Sequence, residues 1–555
     1  MINIFCKNNG QTLQLDYGTT VEEIYKMLDL KMENKPMCAL VNNKVEGLRY
    51  RIFSSKTIKL LDTESAPGRK VYMRSMTYVL FKALNDIYHN ARLSVEAPVS
   101  QGYFFKVSFP HTVGDAQLNI TVEVAQKIKA RMQEIISAGS KFHRIEAPSH
   151  EVSKLFRERG MEDKAKLIEG LGKLYATYYE LDDTIDFYYG PLVPNTTYLG
   201  DFDLVKYYDG LLLRIPREGG KLPEIVKQEK MLKAFADDHI LEKKIGVTNV
   251  GELNEMTRKG FAGDAIKVAE ALQEKRIGQI AEQIASREQV KVVLVAGPSS
   301  SGKTTFSKRL CIQLMTCGLK PQLISLDNYF VDREKTPIDE NGEYDYESIY
   351  SLNLDLFQQQ LTQLINGEEV ELPEYNFSAG KSQMSGKTLQ LYDNTILVME
   401  GIHGLNPLLT KNIADEHKFK IYISALTSIK LDDHNYIPST DNRLIRRIIR
   451  DNKYRGTNAM STIARWPSVR RGETKWIFPF QENADVMFNS AMIYELAVLR
   501  DYALPLLEAV HENCDEHTMA TSLSNFLRFF EPISADELPP TSLLREFLGG
   551  SSFKY

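Results

Sequence analysis

Eight consecutive residues carry the clearest chemistry in this chain: Gly297-Pro298-Ser299-Ser300-Ser301-Gly302-Lys303-Thr304. They match the G-x-x-x-x-G-K-[ST] spacing of a phosphate-binding loop. Glycine at both ends lets the backbone close around an anion. Its N–H groups then point inward, and a helix starting at the loop adds partial positive charge. Lys303 can neutralise β- and γ-phosphates, and the Thr304 hydroxyl can ligate Mg²⁺. The surroundings are the ones such a loop needs. Residues 291–296 form a β-branched apolar run before it, and Phe306, Leu310 and Leu314 repeat at helical spacing after it. A chance Gly/Ser turn does not explain strand, motif and helix together.

Two acids and a basic segment could work with that loop. Asp327 follows the apolar run Leu323-Ile324-Ser325-Leu326, and Glu400 follows Ile396-Leu397-Val398-Met399. In open α/β sheets ligands bind at the carboxyl ends of strands. An acid at that place can accept a hydroxyl proton or help hold Mg²⁺, and Glu400 is placed to reach the cation through water. The bland alternative for Asp327 is a solvated loop residue. Residues 441–451 read as a helix on which Arg443, Arg447 and Arg450 share a face, with Arg455 just beyond. Guanidinium groups stabilise a phosphoryl group in transfer. A basic solvated face or an RNA-contacting one would look similar in isolation, but beside a phosphate loop the phosphate reading is favoured. His403, shortly after Glu400-Gly401, has a functional reading and a packed or solvent-facing one, of which the second is simpler.

These groups need a scaffold. Apolar runs at 291–296, 322–326, 395–399 and 419–423 alternate with helical stretches, which predicts a parallel sheet between layers of helix to about residue 500. Upstream, Ile2, Ile4, Leu13 and Leu15 alternate around Asn8-Asn9-Gly10, a hairpin signal. A short helix opens near Thr20, strands follow at 37–41 and 57–61, and Pro67-Gly68 is read as the punctuation that ends this unit. Helices are expected at 75–88 and 122–136, a strand at 102–109, and loops at Gly190-Pro191 and Val193-Pro194-Asn195. Residues 223–288 read as a polar helical connector, or equally as a small bundle packed on its neighbours. Helices at 494–507 and 521–530 complete the chain.

Composition sets the outer bounds. The 555 residues include 68 Lys and Arg against 73 Asp and Glu, a net charge of −5, which gives no chain-wide support for binding nucleic acid or membrane through charge. Hydrophobic residues at 43% and charged residues at 25% exclude a wholly disordered chain. Five cysteines with no C-x-x-C disfavour a disulfide framework and a zinc ribbon, and fit a reducing setting. No apolar run approaches the roughly 18 residues of a membrane span. The expectation is a cytoplasmic protein with no membrane contact.

The C-terminal half resembles the uridine kinase and phosphoribulokinase family of P-loop kinases over about residues 290–500. The resemblance rests on GPSSSGKTT, LDNYF, EYDYESIYSLNLDLF, LPEYNF, VMEGIHGL and DNRLIRRIIRDNKYRG, in the family's order. It implies ATP and Mg²⁺ as cofactors and phosphorylation of a nucleoside 5′-hydroxyl, with uridine or cytidine the first acceptor to test. It implies Gly297, Ser299, Ser300, Ser301, Gly302, Lys303, Thr304, Thr305 and Arg455 as ATP-binding residues. Asp327, Lys303 and Arg450 would be catalytic, with Asp327 taking the hydroxyl proton. Thr304 and Glu400 would serve the metal. Asp345 would bind ribose hydroxyls, Tyr375 would line the nucleoside pocket, and Arg447, Arg450 and Arg455 would be lid arginines. The chain departs from the family at Asn376, at Gly380 in place of a base-reading histidine, at Thr457 and at Arg465. Those changes leave phosphoryl transfer in place and open the identity of the acceptor. A kinase acting on another sugar or a phosphosugar, or a nucleotide-gated protein that binds tRNA, are the alternatives.

The N-terminal half resembles threonyl-tRNA synthetase: a TGS domain over 1–65, then the domain that edits mischarged tRNA over 66–215. The stretches YMRSMTYVLFKAL, APVSQGYFFKV, HEVSKLF and IDFYYGPLVPNT carry it. The four positions where the family has His or Cys are Arg74, Tyr78, Tyr188 and Leu192, so the resemblance implies a degenerate editing site without its metal. Contact with tRNA or a small ligand, or a scaffold role, is open for this module, as is homo-oligomerisation. The expected plan is therefore multi-domain α/β and α+β. It comprises a β-grasp-like unit (1–65), an editing-like α+β unit (66–215), a helical connector (216–289), a P-loop kinase with a parallel sheet (290–500) and a helical tail (501–555).

Overall fold

The computed structural model describes residues 1–109 and 119–554. The N-terminal unit is a five-stranded sheet in the order Thr12–Leu15, Ile2–Cys6, Lys56–Leu61, Cys38–Val41, Lys44–Gly47. Its first two strands form the expected hairpin, pairing Ile2 with Leu15 and Ile4 with Leu13. Strand Ile2–Cys6 buries every second side chain, the signature of a sheet with one covered face. Helix Val21–Met27 begins with a capping box in which Thr20 and Glu23 satisfy each other's backbone N–H groups.

Pro67-Gly68 does not end this unit in a loop. The pair lies inside helix Ala66–Ile87, which starts nine residues before the expected position. The Ser65 hydroxyl accepts the Gly68 N–H at 3.1 Å. Proline is tolerated in a first helical turn because its missing N–H would be unpaired there and its φ suits the helix. The pair therefore reads as a breaker in sequence and acts as a starter in the fold.

Residues 66–215 contain a four-stranded antiparallel sheet, Asp203–Tyr207, Gly210–Arg214, Gly102–Ser108 and Arg92–Val99, and a three-stranded one formed by Phe142–Pro148, Tyr175–Leu181 and Thr184–Asp186. Helices Ala66–Ile87 and Val122–Ala138 share a core with the first sheet. After it come three helices, Glu229–Ile245, Val250–Arg258 and Ala262–Ala285. The last is no free connector. Its Ile277, Ile280, Ala281 and Ile284 pack with Val293, Val295, Phe306 and Leu310, so it forms part of a covering layer of the neighbouring sheet.

That sheet is parallel and five-stranded, in the order Lys320–Ser325, Thr395–Glu400, Val292–Ala296, Lys418–Ser424, Val486–Asn489. The four expected strands are present. The fifth is only four residues long, too short to stand out among apolar residues between helices. Every residue of the central strand is buried. Val293 and Val295 face one apolar cluster, and Val292 and Leu294 face the other. This two-sided burial explains the unbroken run of Val and Leu.

The N- and C-terminal halves are joined by buried charge. Lys164 Nζ lies 2.6 Å from Asp432 and 3.0 Å from Asp186, and His434 Nδ1 lies 2.8 Å from Asp186. Lys164 is 1% exposed and the two aspartates are wholly buried. The segment carrying Asp432 and His434 leads directly into helix Ser439–Arg455. No helix among the described residues is long and apolar enough to cross a membrane.

Candidate active site

The strand order brings three carboxyl ends to one place. The central strand runs into the loop 297–302, its neighbour Thr395–Glu400 ends in Glu400, and the edge strand Lys320–Ser325 runs into Asp327. Parallel register sets Glu400 beside Val295 on one side and Ser325 on the other. Residues about 100 apart in sequence thereby meet at one edge of the sheet.

The loop itself is built on backbone geometry. Gly302 has φ +82°, and a side chain there would lie 2.3 Å from Leu543 Cδ2. Helix Lys303–Thr316 starts immediately after it. The Ser300 and Ser301 hydroxyls are buried and have no hydrogen-bond partner among the described residues. Lys303 Nζ donates to the Pro298 carbonyl at 3.2 Å, folding the ammonium back over the loop. The Thr304 hydroxyl donates to Glu400 Oε1 at 3.3 Å, and so does Ser325. A hydroxyl and a carboxylate side by side suit a hard cation such as Mg²⁺.

The acids of the site are strongly perturbed. Burial pushes the Glu400 carboxyl up to about 7, Asp327 repels its charge further, and Lys303 opposes both. Burial likewise raises Asp327, against the attraction of Lys303, Arg455 and Arg450. Asp327 sits in a single helical turn, Leu326–Tyr329, and its own N–H donates to the capping Ser325 hydroxyl at 3.3 Å. Loop lysine, acid and two arginines therefore lie in one electrostatic neighbourhood.

Helix Ser439–Arg455 divides its arginines between two tasks. Arg443 and Arg446 are buried and neutralised. Arg443 binds both oxygens of Glu473 and reaches the Ser299 carbonyl at 3.1 Å. Arg446 binds both oxygens of Glu495 and approaches the Ser300 carbonyl at 3.4 Å. These two brace the outside of the phosphate loop, so a solvated basic face does not describe the helix. Arg447 donates to the Ser299 hydroxyl at 2.9 Å. Arg450 and the exposed Arg455 both pair with Asp451. Glu473 also accepts the Ser299 N–H at 3.2 Å.

Other expected site residues stand further out. Asp345 lies in a turn where its carboxylate accepts the Glu347 N–H at 3.2 Å. Tyr375 belongs to strand Val370–Asn376 and packs with Phe330 and Phe377, ring centroids 5.6 and 5.0 Å away. Among the described residues, no hydrogen bond joins Asp345 or Tyr375 to the loop, Asp327 or Glu400. At Gly380, φ +67°, the Arg333 guanidinium fills the space a side chain would need.

Sequence reasoning missed three acids here. Glu473 has no motif around it. Glu347 lies within the EYDYESIYSLNLDLF stretch but drew no assignment. Glu546, near the C-terminus, accepts from the Thr305 hydroxyl at 2.7 Å and the Thr305 N–H at 3.3 Å.

In the N-terminal half, the Tyr78 and Tyr188 rings lie tilted against each other in the core with centroids 5.6 Å apart, and Tyr78 Oη donates to the Tyr179 and Thr184 carbonyls. Arg74 lies over the Tyr189 ring, and Leu192 is buried. None of these four positions carries a His, Cys, Asp or Glu. Among the described residues, no three His, Cys, Asp or Glu side chains are gathered to hold a metal.

Comparison with known proteins agrees with this division. Residues 292–496 match the family model for the phosphoribulokinase / uridine kinase family. The N-terminal half is similar to threonine–tRNA ligases. That of Clostridium kluyveri is 29% identical over 197 residues, 35% of this chain and 30% of the ligase. That of Desulforamulus reducens is 26% identical over 241 residues, 43% of this chain and 36% of the ligase. The chain thus spans about a third of the length of the curated relatives it matches. Among solved structures, a protein described as a possible uridine kinase from Bacillus stearothermophilus aligns at 19% identity and TM-score 0.27, covering 39% of this chain and 98% of that one. A D-glycerate 3-kinase from Cryptococcus neoformans aligns at 12% identity and TM-score 0.22, covering 46% of this chain and 87% of that one.

Proposed function

We propose that this protein transfers the γ-phosphoryl group of ATP to the 5′-hydroxyl of a nucleoside, with uridine or cytidine the first acceptor to test. A P-loop kinase family domain at 292–496 is the frame for the reading. The observation that supports it is the strand order, which brings the ends of the strands before Asp327 and Glu400 to the same edge of the sheet as the phosphate loop, where Lys303, Arg450 and Arg455 attract the Asp327 charge. In the reaction, N–H groups of the loop and of the helix start after it hold the phosphates, and Lys303 neutralises charge on the β- and γ-groups. Asp327 accepts the proton of the acceptor hydroxyl as its oxygen bonds to the γ-phosphorus and the bond to the ADP oxygen breaks. Arg450, with Arg447 and Arg455 on the same helix end, stabilises the charge that spreads over the phosphoryl oxygens. Thr304 and Glu400 would hold Mg²⁺, which when bound offsets the negative charge of the phosphates. Asp345 and Tyr375 would face the acceptor.

The synthetase-like module is read as a scaffold welded to the kinase through Lys164, Asp186, Asp432 and His434. The test is incubation of the whole chain with Mg-ATP and a panel of nucleosides. Nucleoside-dependent ADP formation is expected. No acceptor-dependent ADP, together with salt-sensitive tRNA binding, would overturn the reading in favour of a nucleotide-gated RNA binder.

A further inference from the structure

Away from the phosphate loop, a cavity of about 60 Å³ lies where the two halves of the chain meet. That is room for about two waters or one tetrahedral oxyanion. One wall is built by helix Ala66–Ile87, through Lys70 and Arg74, and by Tyr103 of strand Gly102–Ser108. The other is the segment 434–438, which leads into helix Ser439–Arg455. That segment belongs to the kinase family domain and not to the half that resembles threonine–tRNA ligases. The cavity is therefore a product of joining the two modules, and none of its lining residues comes from the phosphate loop.

Arg74 is held there without being neutralised. Its Nε donates to the Lys70 carbonyl at 3.1 Å, and its guanidinium lies over the Tyr189 ring, 5.6 Å from the centroid. Gly190 leaves space for it, since a side chain there would collide with Nη1. Among the described residues no carboxylate pairs with Arg74, and its Nη atoms donate no hydrogen bond. The acid facing this group of residues, Asp441, is paired with Lys70 at 3.2 Å. Lys70 and Arg217 also face Tyr103. The Tyr103 and Tyr189 hydroxyls have no hydrogen-bond partner among the described residues. A fixed guanidinium with spare donors and two phenolic hydroxyls beside it is an arrangement suited to an oxyanion.

An independent observation comes from the opposite wall. Asn435 lines the cavity and is 3% exposed. Its Nδ2 donates to the Phe187 carbonyl at 2.8 Å and to Asp432 Oδ2 at 2.7 Å. Its Oδ1 is buried and has no partner among the described residues. Buried acceptors are seldom left unpaired in folded proteins. Several donors with one acceptor among them match hydrogenphosphate, which accepts through its oxygens and donates its remaining proton. Sulfate carries no proton near neutrality and has nothing to give Asn435.

We propose that this junction cavity binds a phosphate group, either free hydrogenphosphate or the monoester of a ligand whose remainder stands outside, with Arg74, Tyr103 and Tyr189 donating to its oxygens and Asn435 Oδ1 accepting its proton. The site lies beside the start of the helix whose far end carries Arg450 and Arg455.

The experiment titrates the full-length chain by calorimetry with inorganic phosphate, methyl phosphate and sulfate. A non-hydrolysable ATP analogue is kept saturating, so that the phosphate loop is filled. Wild-type protein should bind one phosphate per chain. Arg74→Met should weaken that binding tenfold or more and Tyr103→Phe threefold or more, with affinity for the ATP analogue unchanged in both. Sulfate should bind at least tenfold more weakly than phosphate. Methyl phosphate binding more tightly than phosphate supports an ester as the ligand, and the reverse order supports the free ion. No phosphate bound at millimolar concentration overturns the inference, as does an affinity within twofold of wild type in Arg74→Met. Sulfate binding as tightly as phosphate overturns the role given to Asn435. If Arg74→Met does not fold, Tyr103→Phe decides: unchanged phosphate affinity in that variant overturns the site. The dependence on Arg74 and Tyr103 reads this cavity alone, so the outcome is independent of whether the chain is a nucleoside kinase.

Discussion

Replacing Asp327 by Asn keeps the shape of the side chain and removes its ability to accept a proton. If Asp327 is the base, the loss is that of general-base catalysis, about 10²–10⁴-fold in kcat. At about 1.4 kcal/mol per factor of ten, that is roughly 3–5 kcal/mol of transition-state stabilisation. The loss should stop there, because Lys303, Arg450 and Arg455 still oppose the charge on the phosphoryl group. Nucleotide binding should survive, since Asp327 makes no side-chain hydrogen bond to the loop among the described residues. The pH profile adds a second signature. Burial holds the Asp327 carboxyl above its ordinary value, so its ionised form is lost at higher pH than for an exposed aspartate. The acid limb of kcat/KM should therefore begin higher than for an ordinary carboxylate, and Asp327→Asn should remove that contribution, leaving the one from Glu400. The assay is coupled ADP release with a saturating nucleoside, alongside calorimetry of ATP-analogue binding. Turnover within threefold of wild type would refute the base assignment. Loss of nucleotide binding would show that Asp327 shapes the loop instead of serving the chemistry.

Three further perturbations follow from the same contacts. Glu347→Gln should stabilise the ligand-free protein at pH 8 but not at pH 4. Burial lifts this carboxyl from 4.5 to about 7, so the folded state holds a proton that the unfolded chain releases between those values, and stability falls as pH rises through that window. The gain at pH 8 has an upper limit of about 3 kcal/mol, and equal melting temperatures of variant and wild type at pH 8 would contradict it. Lys164→Met leaves Asp186 and Asp432 buried with only His434 between them, a loss of about 3–5 kcal/mol in urea unfolding, and adding Asp432→Asn should recover part of it. A drop below 1 kcal/mol would mean water replaces the lysine. Glu546→Gln should lower the ATP KM severalfold, because the carboxylate on the Thr305 N–H and hydroxyl competes with phosphate for the same helix N-terminus. An unchanged KM would mean that the two are bound without conflict.

The arginine helix shows why residue type and spacing need a fold to be read. Arg443, Arg446, Arg447 and Arg450 look alike in sequence. Only the partners divide them: Glu473 and Glu495 arrive from 30 and 49 residues away and neutralise the first two. Arg447, Arg450 and Arg455 share one carboxylate, Asp451, and the last two attract the charge of Asp327. A guanidinium bound on both edges to a buried carboxylate is a brace, while one that shares its acid retains charge for a phosphoryl group.

The phosphate loop, the central strand before it and the helix after it were legible in the residues alone, because a loop of N–H groups on a helix start is a local structure written in consecutive positions. The apolar runs announced four strands of the parallel sheet for a similar reason, since burial on both faces leaves no room for polar residues. The direction of Pro67-Gly68, loop or helix start, was settled only by the Ser65 cap and the packing of the helix behind it. The acids Glu347, Glu473 and Glu546 were beyond reach of any window on the sequence, which showed the place of His403 beside Glu400 but not the burial of its ring. Their meaning lies in what surrounds them, and chain folding draws those neighbours from segments tens to hundreds of residues apart. Burial, which turns an ordinary carboxyl into one that protonates near neutrality, is likewise a property of the packed interior and not of the residue.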